Sequence, residues 1–308
     1  MLGDLPGKGL AVWADRTDSL GGSHLEASRA SDIPTPVSFA SPPVNEVYLG
    51  VQFPGPVADE ATTLADFWPR VREDYPTLER QAPIAPAVED FSVPPAPPTV
   101  PFQVEVSHQP FPQRYWFVSL DGNELIQVQP DRFMLNWRQV QESDEYPRYQ
   151  TLRPEFERRY ETFLEALPEE SRTAAVPEWC EVTYINHIEA RGDEPDRHMP
   201  LHRVLRMLDE PPEGALPPPE DTQLQARHRL LSESSGEPIG RLYVSATPGF
   251  RATDRVPIYL IQLLARGRPE GEGLPAILAF FDWGRDLIVR GFHDMTTDHM
   301  HERWGLER

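Results

Sequence analysis

Hydrophobic and polar positions along this chain follow two rhythms that alternate twice. Glu46-Val47-Tyr48-Leu49-Gly50-Val51-Gln52-Phe53 has the period of two expected of a half-buried strand, and Pro54-Gly55-Pro56 stops it. From Ala61 the period changes: Leu64, Phe67, Trp68, Val71 and Tyr75 share one helical stripe. Pro69 lies inside that stripe and predicts a kink or two short pieces. Three strands follow, at Tyr115–Leu120, Glu124–Gln129 and Phe133–Trp137. Their turns at Asp121-Gly122-Asn123 and Pro130-Asp131-Arg132 predict an antiparallel meander. A long helix is expected from about Tyr149, with Leu152, Phe156, Tyr160, Phe163, Leu164 and Leu167 inward and Glu155, Arg158, Arg159 and Glu165 outward. Pro154 is assigned to its first turn.

A second cycle starts near Trp179. Val182 to Ile188 reads as a strand, Leu201 to Leu208 as a short helix, and Leu224 to Ser232 with Ile239 to Thr247 as a hairpin around Ser234-Ser235-Gly236-Glu237. Ile258 to Leu264 supplies a third strand before a final helix that starts at about Pro275. The order β-α-linker-βββ-α thus occurs twice. It predicts an α+β fold of two halves, residues 44–175 and 176–308, each an antiparallel sheet with helices on one face. Descent from a duplicated unit, and a cleft where the halves meet, are the accompanying expectations. The Pro-rich stretches Pro83 to Pro101 and Pro211 to Pro219 read as extended connections laid over the surface.

Residues 1–43 show neither period and read as a flexible N-terminal arm. Leu5, Leu10, Val12 and Trp13 form a small apolar cluster within it. Such a cluster either docks on a partner or folds back on its own domain.

Composition narrows the partners. The 308 residues are 39% hydrophobic, enough for a packed core. A formal charge of −20 disfavours a nucleic-acid or anionic-membrane partner held by charge. No apolar run approaches the ~20 residues of a membrane span, and the first residues lack the apolar block of a secretory signal. A cytoplasmic protein is the expectation. Cys180 is the single cysteine, so an intramolecular disulfide is excluded, and its apolar neighbours point to a buried, inert thiol.

Chemistry-bearing motifs are sparse. A phosphate-binding glycine loop, a serine-hydrolase elbow and a His-Glu-x-x-His motif are all missing, and no cofactor is expected. If the last helix is continuous, Asp294, Asp298 and His301 share one face at i, i+4 and i+7. Two carboxylates and an imidazole could then bind a divalent metal, although a solvated helix end is the stronger reading of those residues. Asp196, His198 and His202 are broken up by Pro200 and read as a surface loop. Asn186 and His187 interrupt an apolar strand; such a pair either lines the cleft or is structurally satisfied.

Three groups of residues also resemble a family. The strand Glu46–Phe53 with Phe67-Trp68-Pro69 and Tyr75-Pro76 is the first. Trp116-Phe117-Val118-Ser119, Phe133-Met134-Leu135-Asn136-Trp137 and Tyr184-Ile185-Asn186-His187-Ile188 form the second, and Phe292, Thr296-Thr297 and Trp304-Gly305 the third. Together they resemble a sporadically distributed family of uncharacterised bacterial proteins, from about residue 45 onward. The resemblance implies a fold and carries no catalytic residues; the longer Pro-rich insertions and the arm depart from it. The expected function is a non-enzymatic protein-binding or regulatory accessory protein, with the arm as docking peptide. The alternative is an enzyme, or a small-ligand or metal binder, using the cleft. Self-association through sheet edges or the last helix is a further expectation.

Overall fold

Alternation of apolar and polar residues is realised as one wide sheet. The computed structural model describes residues 37–92, 113–189, 197–210, 214–217 and 219–307. The first half contains β1 (Ser38–Phe39), β2 (Val44–Gln52), a π-helical turn (Thr62–Phe67) running into α1 (Trp68–Val71), and β3 (Thr77–Gln81). It continues with β4 (Arg114–Val118), β5 (Glu124–Gln129), β6 (Arg132–Arg138), α2 (Tyr149–Ala166) and α3 (Glu169–Ala174). The second half contains β7 (Trp179–Glu189), a 3-10 turn (Leu201–Arg203), β8 (Leu224–Leu231), β9 (Pro238–Phe250), β10 (Pro257–Gly267), α4 (Gly273–Met295), α5 (Asp298–Trp304) and β11 (Leu306–Glu307).

Nine strands pair antiparallel in the order β3-β4-β5-β6-β2-β7-β10-β9-β8. The α+β class is therefore as expected. The seam is the β2–β7 pair, where Leu49 faces Val182 and Val51 faces Cys180. Outward from it, one side runs β6, β5, β4 and the other β10, β9, β8. Each meander is followed in the chain by its long helix. Val37–Arg308 is one compact unit with one continuous core.

Both long helices cover the same face of the sheet. Val47, Leu49 and Val51 of β2, Phe133 and Leu135 of β6, and Val182 and Tyr184 of β7 point toward it and are buried. Phe156 of α2 meets Phe281 of α4 edge-on at 4.8 Å, which joins the two halves above the seam. Gly284 lets α4 approach the sheet: a Cβ there would lie 3.3 Å from Val182 Cγ2.

Several expectations are corrected. Residues 37–43 belong to the fold: β1 pairs with β11, and the Phe39 ring packs against Phe292, His301 and Trp304. Pro69 does divide its helix, in a π-turn followed by a single α-turn. Pro154 lies in the second turn of α2, not the first. The last helix is not continuous. Thr296 leaves the α4 path with ψ 153 and forms a bridge to Leu205, while Arg206 N–H donates to Met295 O at 2.8 Å. Residues 82–92, by contrast, are the extended surface connection expected, and they cross the sheet on the face opposite the helices.

Candidate functional site

Five chain segments end together at one end of the seam and enclose a cleft of about 920 Å³. They are the β1–β2 link, the β6–α2 loop, the end of β7, the β9–β10 turn and the end of α5. The volume lies within the range of small-ligand and peptide-segment sites. His187, on the last turn of sheet before Glu189, lines its wall, and Asn186 lines a separate cavity of about 70 Å³ on the helix side.

Charged groups in the cleft are tied to its framework. Arg251 donates through Nε and Nη2 to Asp254 at 2.9 and 2.6 Å, and its Nη1 pairs with Glu189. That fork holds the Asp254 carboxyl down to about 2 and raises the guanidinium. Arg303 donates to Glu189 O at 2.9 Å. Asp144 accepts from Gln141 N at 2.6 Å, Asn123 Nδ2 at 2.7 Å and Val140 N at 2.9 Å, and the Gln141 amide is the main cause of its lowered pKa. These bonds close the β6–α2 loop on itself and onto Asn123 of the β4–β5 turn.

Arg148 is the hinge of the site. Its backbone sits at φ 71, a left-handed value strained for a side chain with a Cβ. Its guanidinium donates twice to Phe39 O at 3.1 Å and to Ala40 O at 3.4 Å, which fastens the β1–β2 link to the start of α2. Exposed acids stand at the mouth: Glu142 has 82% of its side chain exposed, whereas that of Arg251 has 24%. Glu145 is also exposed.

His187 is half-buried and its backbone N–H donates to Pro43 O at 2.9 Å. Burial first, then the neighbouring Arg251 charge, lowers its pKa and keeps the imidazole neutral; Glu189 acts the other way. Asn186 is buried and donates to Ile261 O at 3.1 Å, the satisfied arrangement that a buried amide requires.

The sequence-derived metal set is not assembled. Asp294 is exposed on α4 and accepts from His293 Nδ1 at 3.0 Å; Asp298 pairs with Arg206 at 2.7 Å. His301 is buried on α5, with Nε2 2.9 Å from Thr296 Oγ1 and 3.0 Å from His293 O. The break at Thr296 parts Asp294 from the other two, while His301 Nδ1 stays 3.8 Å from Asp298 on α5. Among the described residues no cluster of three or more metal-binding side chains occurs. His198 Nε2 lies 2.9 Å from Gly249 O and its ring sits tilted against Tyr259 at 5.4 Å, while Asp196 falls outside the described residues. Leu5, Leu10, Val12 and Trp13 also lie outside them.

Sequence reading missed Arg148, Asp144, Glu189 and Arg251. Asp254 accepts from Val256 N at 3.1 Å, a short turn that an Asx-turn search would have found; Asp144, Arg148 and Glu189 carry no such local signal. Among the described residues no helix is long and apolar enough to cross a membrane. Comparisons with family models, curated proteins and solved structures give no match.

Proposed function

We propose that this is a non-enzymatic binding protein whose seam-end cleft receives a basic segment of another protein. The observation that carries this reading is the state of the cleft's charges. Arg251, Arg303 and Arg148 are engaged with the walls, and two exposed carboxylates stand at the mouth, Glu142 within 3.6 Å of Arg251 and Glu145 close by in the same loop. Groups engaged in this way set a shape. A general base needs an unengaged lone pair within reach of a substrate proton, and a nucleophile needs such a base beside it. The overall charge of −20 adds long-range attraction for a cationic partner and speeds encounter at low salt.

A second reading rests on His187. A neutral imidazole in a cleft of this size can accept a proton or hydrogen-bond a small ligand. The two readings separate in one comparison. Immobilised full chain and a Glu142→Lys, Glu145→Lys variant are exposed to lysate of cells that make the protein, at low and high salt. The protein-binding reading expects a partner retained by the wild type, released by salt and absent from the variant. Identical profiles for the two proteins, together with loss of a small-molecule ligand on His187→Ala, would favour the second reading.

A further inference from the structure

The face of the sheet away from the helices is basic in an acidic molecule. Side chains alternate across each strand, so Arg114, Arg132, Arg138, Arg266, Arg241, Arg227 and Arg229 all project there, on β4, β6, β10, β9 and β8. Aromatic rings lie between them: Arg114 and Arg138 flank Trp116 at 5.3 and 5.6 Å, and Arg266 covers Tyr243 at 5.6 Å.

Residues 82–92 run across this face at right angles to the strands, in extended form and without a ladder of their own. Arg114 Nε donates to Ala82 O at 3.1 Å. Gln129 then grips Ile84 twice: it accepts from Ile84 N and donates to Ile84 O, both at 2.8 Å. Arg132 donates to Ala85 O at 3.3 Å. Gln52 repeats the double grip on Ala87, accepting from its N–H at 2.8 Å and donating to its carbonyl at 3.1 Å. Glu89 inserts a side chain with 0% exposure between Arg241, Tyr243 and Arg266, the last at 3.3 Å. Phe91 closes the series against Arg241 at 4.6 Å. The step matches the sheet: Ile84 to Phe91 spans about 23 Å when extended, and β5 to β9 about 24 Å.

These contacts read a ligand in a particular way. A carboxamide that both accepts from an N–H and donates to the carbonyl of the same residue recognises backbone and ignores side chains. The side-chain-specific elements are the carboxylate slot and the Arg241 guanidinium that covers the Phe91 ring. Without Glu89 the slot would leave two guanidinium groups facing Glu181 alone, which Arg266 meets at 2.7 Å. The strap also fits imperfectly. Ala85, Pro86, Val88 and Asp90 point to solvent, Val88 with 83% exposure, and the buried Nε of Arg132 has no acceptor. Little apolar burial keeps the cost of opening low except at Glu89, whose two arginines need a replacement carboxylate when the strap leaves.

We infer that this face is a groove for an extended acidic segment of a partner protein, and that residues 82–92 occupy it as a tethered placeholder which the partner displaces. Two bidentate grips three residues apart, on Ile84 and Ala87, match the ~10 Å repeat of an extended peptide backbone, which favours a peptide over a nucleic acid. The groove lies on a different surface from the seam-end cleft, and its test is independent of that site.

The test is titration of the full chain with a labelled peptide copying residues 82–92, a scrambled peptide that keeps the glutamate at its position, and the scrambled peptide with that glutamate changed to Gln. Hydrogen exchange of the strap amides is followed in parallel. Both glutamate peptides are expected to bind and to deprotect the Ala87 and Glu89 amides. The Gln peptide is expected to lose at least about tenfold in affinity. Ala87→Pro removes the N–H that Gln52 accepts and should tighten binding of the glutamate peptides about tenfold, by weakening the competitor. Arg241→Gln should abolish it with the circular dichroism spectrum unchanged. The inference is overturned if no peptide binds either the wild type or Ala87→Pro, or if peptide binds while the strap stays protected. It is equally overturned if a single-stranded oligothymidylate binds in preference, or if Ala87→Pro forms a strap-exchanged dimer with no affinity for the peptides.

Discussion

At the scale of single residues, two imidazoles give the molecule a pH response whose sign can be derived. Burial lowers the pKa of both His187 and His301 below the ordinary 6.5; for His301 the adjacent His293 adds to the effect. The unfolded chain therefore binds more protons than the folded one as pH falls through 6.5, and stability falls with it. Asp254 acts in the same direction lower down. Its contribution is full above 3.8 and is lost as pH drops toward about 2. Glu46 and Glu124 are raised by burial and act in the opposite sense above 4.5, so the wild-type curve alone would mix contributions. The histidines are isolated by difference. A His187→Gln variant should lose less of its thermal midpoint than wild type between about pH 7.5 and about pH 5.5. Equal losses in the two proteins would show that His187 protonates as readily in the folded state as in the unfolded.

At the scale of elements, the close approach of β9 and β10 makes a sharper demand. Gly240 faces Gly267 across that pair, and a Cβ on Gly240 would fall 2.1 Å from the Arg266 carbonyl oxygen. That neighbour is backbone held in two ladders and cannot swing aside. Gly240→Ala is therefore expected to cost about 1–3 kcal/mol or more, read as a lower denaturant midpoint at unchanged slope. A midpoint equal to wild type would mean that the strand pair is wider than described. The same pair shows what could be read from the chain. β2, the β4–β6 meander, α2 and β10 follow from local periodicity, because each buries one face over several residues. β3 did not, since Thr77-Leu78-Glu79-Arg80-Gln81 is an edge strand with charges where alternation would be sought. The break between α4 and α5 is set from outside, by the Leu205 bridge and the bond from Thr297 N to Val204 O at 3.0 Å. The strap is likewise fixed by partners 32 to 177 residues away, such as Arg114 and Arg266. Periodicity has no access to contacts of that range, and the cleft depends on them as well.

At the scale of the whole molecule, the question is whether the two halves are separable units. The β2–β7 pair sits in the middle of a nine-stranded sheet, so parting the halves would bare two hydrogen-bonding edges at once. It would also expose Val47, Leu49, Cys180 and Val182, which are at most 1% accessible, and break the Phe156–Phe281 contact between the helices. An interface inside one core differs from a domain interface, where few contacts cross and each side keeps its own packed interior. Strap residues add a second crossing: Ile84 is held by the first half and Glu89 by the second. Unfolding of one half should therefore pull the other with it. Calorimetry is expected to show one transition for this unit, with the van't Hoff and calorimetric enthalpies in agreement. Two resolved transitions, or loss of β4–β6 amide protection ahead of β8–β10, would show instead that the seam is a boundary the molecule can open.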